Sequence, residues 1–126
     1  NSFIISVDME HAVHPNYTDQ HDPTNKPVIN KGPVIKINAN QSYTSDSISG
    51  GVYETICEQA DIPVQKFVNR SDKRGGSTIG PISTTQLNIN SVDIGNPTLA
   101  MHSIRELGGV KDHHYLIRSF EEFYKI

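Results

Sequence analysis

The chain begins with an apolar run that leads into a polar one: Phe3-Ile4-Ile5-Ser6-Val7-Asp8-Met9-Glu10-His11-Ala12-Val13-His14-Pro15-Asn16-Tyr17. Residues 3–7 are mostly apolar and β-branched, which is typical of a buried strand. In open α/β sheets ligands bind beyond the carboxyl ends of strands, where Asp8, His11 and His14 follow. The pattern therefore predicts a metal or catalytic site in a loop leaving this strand, with a turn carrying solvated histidines as the alternative. A helical zinc motif is disfavoured, because Pro15 opposes the α conformation at His14.

The rest of the chain alternates between strand and helix patterns. Segment 10–31 is polar and contains prolines, and it predicts a long loop of the kind that is usually functional. Strands are predicted at 34–38, 64–68 and 91–94, the last closed by Gly95-Asn96-Pro97, and helices at 46–60, 78–87 and 112–124, the last with Leu116, Phe120, Phe123 and Tyr124 on one face. This alternation predicts an α/β fold, a mixed or parallel sheet flanked by helices, in one domain spanning 1–126.

Composition and charge narrow the classes of partner. The 126 residues include 11 basic and 14 acidic side chains, a net charge of -3, with no basic cluster beyond Lys73-Arg74. We therefore expect no nucleic-acid partner and no membrane binding, and no apolar segment approaches the ~20 residues of a membrane span. The single cysteine, Cys57, favours a reducing cytoplasm and a packing role. Because the chain starts at Asn1 and enters a strand two residues later, we expect a piece of something longer.

Further polar residues could take part in a site. His102 follows the predicted strand 91–94, with a structural role as the alternative to a ligand role, and Asp93 is expected to be a buried hydrogen-bonding residue. The chain has too few suitable donors to supply a full zinc site by itself. Lys36 lies in an apolar strand, so it either faces the core and meets a carboxylate or faces solvent. The glycine-rich segment 74–81 precedes a predicted helix and is either an anion or carbonyl site or a tight turn.

Several longer motifs point to a family. They are residues 6–17 as quoted above, Asn30-Lys31-Gly32-Pro33-Val34-Ile35-Lys36, Gly76-Ser77-Thr78-Ile79-Gly80-Pro81 and Met101-His102-Ser103-Ile104-Arg105-Glu106. In content, order and separation they resemble the C-terminal portion of the aspartyl aminopeptidase family of dizinc metallopeptidases. The resemblance covers nearly the whole chain. It implies the C-terminal half of a zinc-peptidase (phosphorylase/hydrolase-like) catalytic domain.

The resemblance also implies roles for particular residues. Asp8 and His102 match zinc ligands. The positions that match substrate contacts are His11, Lys36, Tyr43 and Met101. Members of the family bind two zinc ions per full-length subunit, and Mn or Co could substitute because carboxylate and imidazole ligands accept them as well. Zinc activates the water that cleaves the first peptide bond of the substrate.

Lys36 gives the expected substrate a physical basis. An ammonium group in the pocket for the N-terminal residue would pair with an Asp or Glu side chain through a charge-assisted hydrogen bond. We therefore expect an aminopeptidase that removes acidic N-terminal residues from peptides. The alternatives are an aminopeptidase preferring neutral N-terminal residues and a noncatalytic assembly or interaction module. Relatives form dimers and larger shells, so a homo-oligomer is expected of the full-length protein.

The chain also departs from the family pattern. Glu10 stands where many relatives carry a small residue. The family's His-x-Asp segment, its bridging Asp and the paired glutamates that include the general base all lie upstream of residue 1, and the dimerisation insert is absent. No catalytic acid or base is therefore expected within 1–126, and we expect the isolated chain to be inactive.

Overall fold

The computed structural model describes residues 2–14, 16, 26–37, 47–68 and 89–126. Along the chain these form β1 (Phe3–His11), β2 (Val34–Ile37), α1 (Ser47–Gln59), β3 (Gln65–Val68), β4 (Asn90–Leu99), β5 (Leu107–Gly108) and α2 (Val110–Phe123). The predicted helix at 78–87 and the glycine-rich segment 74–81 lie outside the described residues. In the described part, neither helix has the length and apolar character needed to cross a membrane.

The described strands form one mixed sheet, as the sequence predicts. Its order is β1-β4-β2-β3, and β5 pairs with β4. β1 runs parallel to β4 and β3 runs parallel to β2, whereas β2 and β5 run antiparallel to β4. Because β1 and β4 are parallel, their carboxyl ends lie at the same edge of the sheet.

β1 is longer than the sequence predicts, since it continues past Val7 to His11. All nine residues pair with β4 one for one, ending with His11 opposite Thr98. This backbone pairing overrides the polar character of the segment, which by itself favours a loop. Asp8 and His11 therefore lie within the sheet, and the prediction that they occupy a loop leaving the strand is wrong.

β4 also exceeds its predicted length. The prediction that Gly95-Asn96-Pro97 closes this strand is wrong, because β4 runs from Asn90 to Leu99. Pairing with β1 on one edge holds the whole segment extended. On the other edge the pairing with β2 stops at Gly95 and that with β5 starts at Thr98, so Pro97 lies between the two partners. A residue without a backbone N–H is tolerated at such an interruption.

The hydrophobic core lies between one face of the sheet and the two helices. Its buried members are Ile35, Tyr53, Cys57, Ile62, Val92 and Ile94, with Leu116 and Phe120 packed against them. Burial raises the pKa of the Cys57 thiol to about 11, so this residue packs as a neutral side chain. Phe123 contacts Phe3, with ring centroids 6.3 Å apart. Tyr124, predicted on the same apolar face, is 82% exposed because α2 ends one residue earlier.

The opposite face of the sheet carries polar side chains that are also buried. Alternation along the strands places Ser6 and Glu10 of β1, Asp93 of β4 and Lys36 of β2 on this face. Each of the four is at most 5% exposed. Burial of Asp93 agrees with its predicted role within a strand. Charged groups in such a setting need partners close by, because an uncompensated buried charge is strongly destabilising.

A carboxylate in the first turn of α2 fixes the loop that leads into β2. Asp112 is fully buried and accepts hydrogen bonds from the backbone N–H groups of Asn30 (2.7 Å) and Gly32 (2.8 Å). In return the Asn30 side chain accepts a hydrogen bond from the N–H of Lys111 (3.1 Å), one of the amides that a helix start leaves unpaired. The loop and the start of α2 thus satisfy each other's backbone N–H groups. These hydrogen bonds fix the position at which β2 enters the sheet.

Replacing Asp112 with Asn should lower the free energy of unfolding by about 1–3 kcal/mol, because the amide has only one oxygen for two backbone donors and one donor stays buried and unpaired. Glu121→Gln is the matched control. It removes the same charge from an exposed position on the same helix, and we expect a change below about 0.5 kcal/mol. Urea denaturation followed by circular dichroism measures both, and equal midpoints would contradict the capping role of Asp112.

Candidate functional site

Asp8 lies three residues before the end of β1, close to the edge where β1 and β4 both end. Its side chain is exposed, and Oδ1 accepts a hydrogen bond from the backbone N–H of Met9 (2.8 Å). This bond fixes the orientation of the carboxylate relative to the strand. An exposed carboxylate held in this way is suited to bind a cation, since aspartate oxygens are among the ligands that zinc accepts.

Gly95 is the partner of Asp8 on β4. A Cβ atom placed on Gly95 would lie 2.6 Å from the carbonyl oxygen of Asp8 and 2.9 Å from the carbonyl carbon of Met9. Both distances are far too short for van der Waals contact, so only glycine allows this approach of the two strands. Sequence reasoning treated Gly95 as a strand terminator. In the structure it seats the backbone of a candidate metal ligand.

His102 lies in a tight loop just beyond the end of β4. It is exposed and has a φ angle of 71°, and Ala100 in the same loop has a φ of 57°. Left-handed backbone of this kind is unfavourable for residues other than glycine and is typical of functional sites. The backbone N–H of His102 donates to Oε1 of Glu106 (2.6 Å), and that of Ser103 donates to the carbonyl of Ala100 (3.1 Å). These two bonds hold the imidazole-bearing residue at the sheet edge.

The sequence pattern allows Lys36 to face either the core or the solvent, and in the structure its side chain is buried. The residue is 3% exposed, and its Nζ donates a hydrogen bond to the carbonyl oxygen of Met9 (2.7 Å). Met9 belongs to β1, two strands away from β2, so the lysine side chain crosses β4 to reach it. The Lys36 ammonium therefore lies beside the strand that carries Asp8.

Glu10 is the carboxylate that Lys36 meets, and the sequence analysis did not identify it as such. Oε2 of Glu10 lies 4.0 Å from Nζ of Lys36, and Glu10 is 3% exposed. Burial raises the pKa of Glu10 to about 7, against the opposing effects of Lys36 and of the hydrogen bond from His11, while Asp8 adds to the rise. The signal was present, because Glu10 follows Asp8 by two residues and shares its face of β1. Assigning this segment to a loop concealed that relation.

The two nearby histidines differ in their surroundings. His11 is exposed at the end of β1, and its backbone N–H donates to Oε1 of Glu10 (2.7 Å). Three positions separate His11 from Asp8, and alternation places such residues on opposite faces of a strand. His14 is half-buried, and its Nδ1 accepts the backbone N–H of Asn16 (3.1 Å), which is typical of a turn.

Met101 and Tyr43 are the other two residues predicted to contact substrate. Met101 is half-buried and directly precedes His102 in the loop after β4. Tyr43 lies outside the described residues. Among the residues that are described, no three His, Cys, Asp or Glu side chains form a group that could hold a metal ion. Asp8 and His102 can thus serve as two members of a ligand set, and zinc takes three or four protein ligands.

Comparisons with known proteins agree on a family. The model of the Aminopeptidase I zinc metalloprotease (M18) family matches residues 1–124. The probable M18 family aminopeptidase 2 of Clostridium novyi (strain NT) is 67% identical over 125 residues, which are 99% of this chain and 29% of that protein. The chain therefore spans less than a third of the length of this curated relative.

Solved structures show the same similarity in three dimensions. A chain in the cryo-EM structure of the Ape4 and Nbr1 complex is 45% identical, with a TM-score of 0.95 over 98% of this chain and 23% of that one. The mApe1 dodecamer of S. cerevisiae is 30% identical, with a TM-score of 0.88 over 99% of this chain and 27% of that one. The mixed sheet flanked by helices is thus the fold found in the corresponding part of these proteins.

Gly95→Ala should reduce the free energy of unfolding by about 1–3 kcal/mol, because the added methyl group forces β1 away from β4 beside Asp8. The control is Gly108→Ala in β5, where an added Cβ would have no atom within 4 Å. We expect this control to stay within about 0.5 kcal/mol of the parent. Chemical denaturation compares the two variants. A Gly95→Ala protein as stable as the control would mean that the strands pair less closely than described.

Proposed function

Because the chain belongs to the M18 family of zinc metalloproteases, we propose that it forms the C-terminal portion of the catalytic domain of a metallo-aminopeptidase. The observation that carries the proposal is the parallel pairing of β1 and β4. It brings Asp8 and the loop bearing His102 to the same edge of the sheet. The chain spans 29% of its C. novyi relative, so the activity proposed is that of a full-length family member containing these residues.

Asp8 and His102 are the proposed zinc ligands of this chain. Both residues are exposed. The Asp8 carboxylate accepts a hydrogen bond from the backbone N–H of Met9, and the backbone N–H of His102 donates to the Glu106 side chain. A carboxylate oxygen and an imidazole nitrogen belong to the donor set that zinc prefers. The two residues therefore fit a zinc site, and the full-length subunit would bind two zinc ions, with Mn or Co as possible substitutes. The remaining ligands would come from outside this chain.

The proposed reaction is removal of the N-terminal residue of a peptide. Bound zinc would supply a Lewis acid for the scissile carbonyl and lower the pKa of a water molecule to around 7. The residues of this chain would bind and orient the substrate around the reacting bond, with His11, Tyr43 and Met101 as proposed contacts. The general base would be a glutamate outside the chain, so we propose that the isolated 126 residues do not hydrolyse peptides.

Acidic N-terminal residues are the proposed substrates. The support is Lys36, whose ammonium group is buried beside the strand that carries Asp8. The ammonium donates a hydrogen bond to the carbonyl of Met9. A substrate carboxylate that reached the ammonium would form a charge-assisted hydrogen bond, which is stronger than a neutral one.

Assembly and location form part of the same proposal. The mApe1 neighbour is a dodecamer, which supports a homo-oligomer for the full-length protein. Several large apolar side chains of this chain are exposed, among them Ile104, Val110 and Ile48, and burial of such groups favours association with further protein surface. Cys57 is a buried free thiol, which is consistent with a cytoplasmic location.

The substrate proposal is tested by replacing Lys36 with Met in the full-length enzyme. Loss of a hydrogen bond to a charged group removes about 1.5–3 kcal/mol, so kcat/KM for Glu- and Asp-terminated peptides should fall by about ten- to a hundredfold. Cleavage of Leu-terminated peptides should change little, because a neutral side chain makes no bond to the ammonium.

Lys66→Met is the control for this experiment. Lys66 lies on β3 and pairs with Glu54 at the surface, with Nζ 2.8 Å from Oε1 and both side chains well exposed. We expect the control to cleave both substrate classes like the parent. If Lys36→Met lost activity equally on acidic and neutral substrates, Lys36 would have no role in substrate selection.

A further inference from the structure

We propose that Glu10 is a specificity-determining residue, which holds the Lys36 ammonium and weakens its attraction for an acidic substrate side chain. The inference rests on the proposed aminopeptidase function and deepens it. It predicts an enzyme that accepts neutral N-terminal residues beside acidic ones.

Glu10 and Lys36 form a buried pair with fixed geometry. Both residues are 3% exposed, and Oε2 of Glu10 lies 4.0 Å from Nζ of Lys36. The second carboxylate oxygen, Oε1, accepts the backbone N–H of His11 (2.7 Å), which leaves Oε2 directed to the lysine. The carboxylate is therefore held by two contacts. It cannot swing away when another anion approaches without losing a hydrogen bond in the interior.

The lysine is fixed as well. Its Nζ donates to the carbonyl of Met9 (2.7 Å), the residue directly before Glu10. The ammonium thus lies close to a carbonyl and a carboxylate of adjacent residues of β1. An ionised Glu10 compensates the charge of the Lys36 ammonium. A buried lysine requires such compensation, because an unpaired charge away from water is strongly destabilising.

This pairing changes what a substrate side chain encounters. An Asp or Glu side chain that reaches the ammonium also approaches Glu10, and like charges repel strongly where water is excluded. A neutral side chain meets no such repulsion. Specificity is a difference between two affinities, and a fixed repulsive group lowers the affinity for one class selectively. Glu10 therefore reduces the difference in kcat/KM between acidic and neutral substrates.

The test compares Glu10→Gln with the parent in the full-length enzyme at a fixed pH of 8. Glutamine keeps the size of the side chain and an oxygen for the His11 N–H, but it removes the negative charge. We expect the ratio of kcat/KM for a Glu-terminated p-nitroanilide to that for a Leu-terminated one to rise at least tenfold. The rise should come from a lower KM for the acidic substrate. Glu58→Gln, at an exposed position of α1, should leave the ratio unchanged.

Repeating the Glu10→Gln substitution in a Lys36→Gln enzyme distinguishes an electrostatic role of Glu10 from a structural one. In a Lys36→Gln enzyme the ammonium is gone, so adding Glu10→Gln should then change the ratio less than threefold. An equal tenfold rise in that background would overturn the proposal, because the effect would not pass through Lys36. Should Glu10→Gln fail to fold, Glu10→Asp withdraws the carboxylate from Lys36 and should raise the ratio in the same direction.

The outcomes distinguish this inference from the function on which it rests. If the parent cleaves aminoacyl substrates and Glu10→Gln leaves the ratio unchanged or lowers it, the role of Glu10 is wrong while the aminopeptidase proposal stands. If the zinc-loaded parent cleaves neither substrate, both proposals fail.

Discussion

Close parallel pairing of β1 with β4 sets the position of every other part of the site. The two strands match residue for residue from Phe3 opposite Asn90 to His11 opposite Thr98. Gly95 permits this approach, because a side chain there would collide with the backbone of Asp8. The pairing keeps Asp8 in regular strand geometry and brings the loop after β4 to the same edge. Asp8, a proposed zinc ligand, and His102, which has left-handed backbone, thus come from distant parts of the chain.

The same pairing creates the polar face on which Lys36 and Glu10 meet. Lys36 crosses the central strand β4 and bonds to β1, so three strands contribute to one small site. The position of β2, which carries Lys36, depends on the hydrogen bonds between Asp112 and the loop before β2. The contacts that place β2 therefore also place the ammonium that we propose as a substrate contact.

The sequence predicted much of the fold, and its errors have a common cause. The start of β1, the apolar strand β2 and the existence of α1 follow from local sequence patterns, and all three are present. The extensions of β1 and β4 arise from pairing between residues 87 positions apart, which no local window contains. Glu10 was missed for the same reason, since its relation to Lys36 exists only once β4 separates the two strands. Recognising Asp8 and His102 as a pair required the family resemblance.

Anomalous diffraction at the zinc edge from crystals of the full-length, zinc-loaded enzyme would show which side chains bind the metal. We expect zinc within about 2.0–2.2 Å of a carboxylate oxygen of Asp8 and of an imidazole nitrogen of His102. An active, zinc-loaded enzyme in which neither side chain contacts the metal would contradict the proposed zinc site.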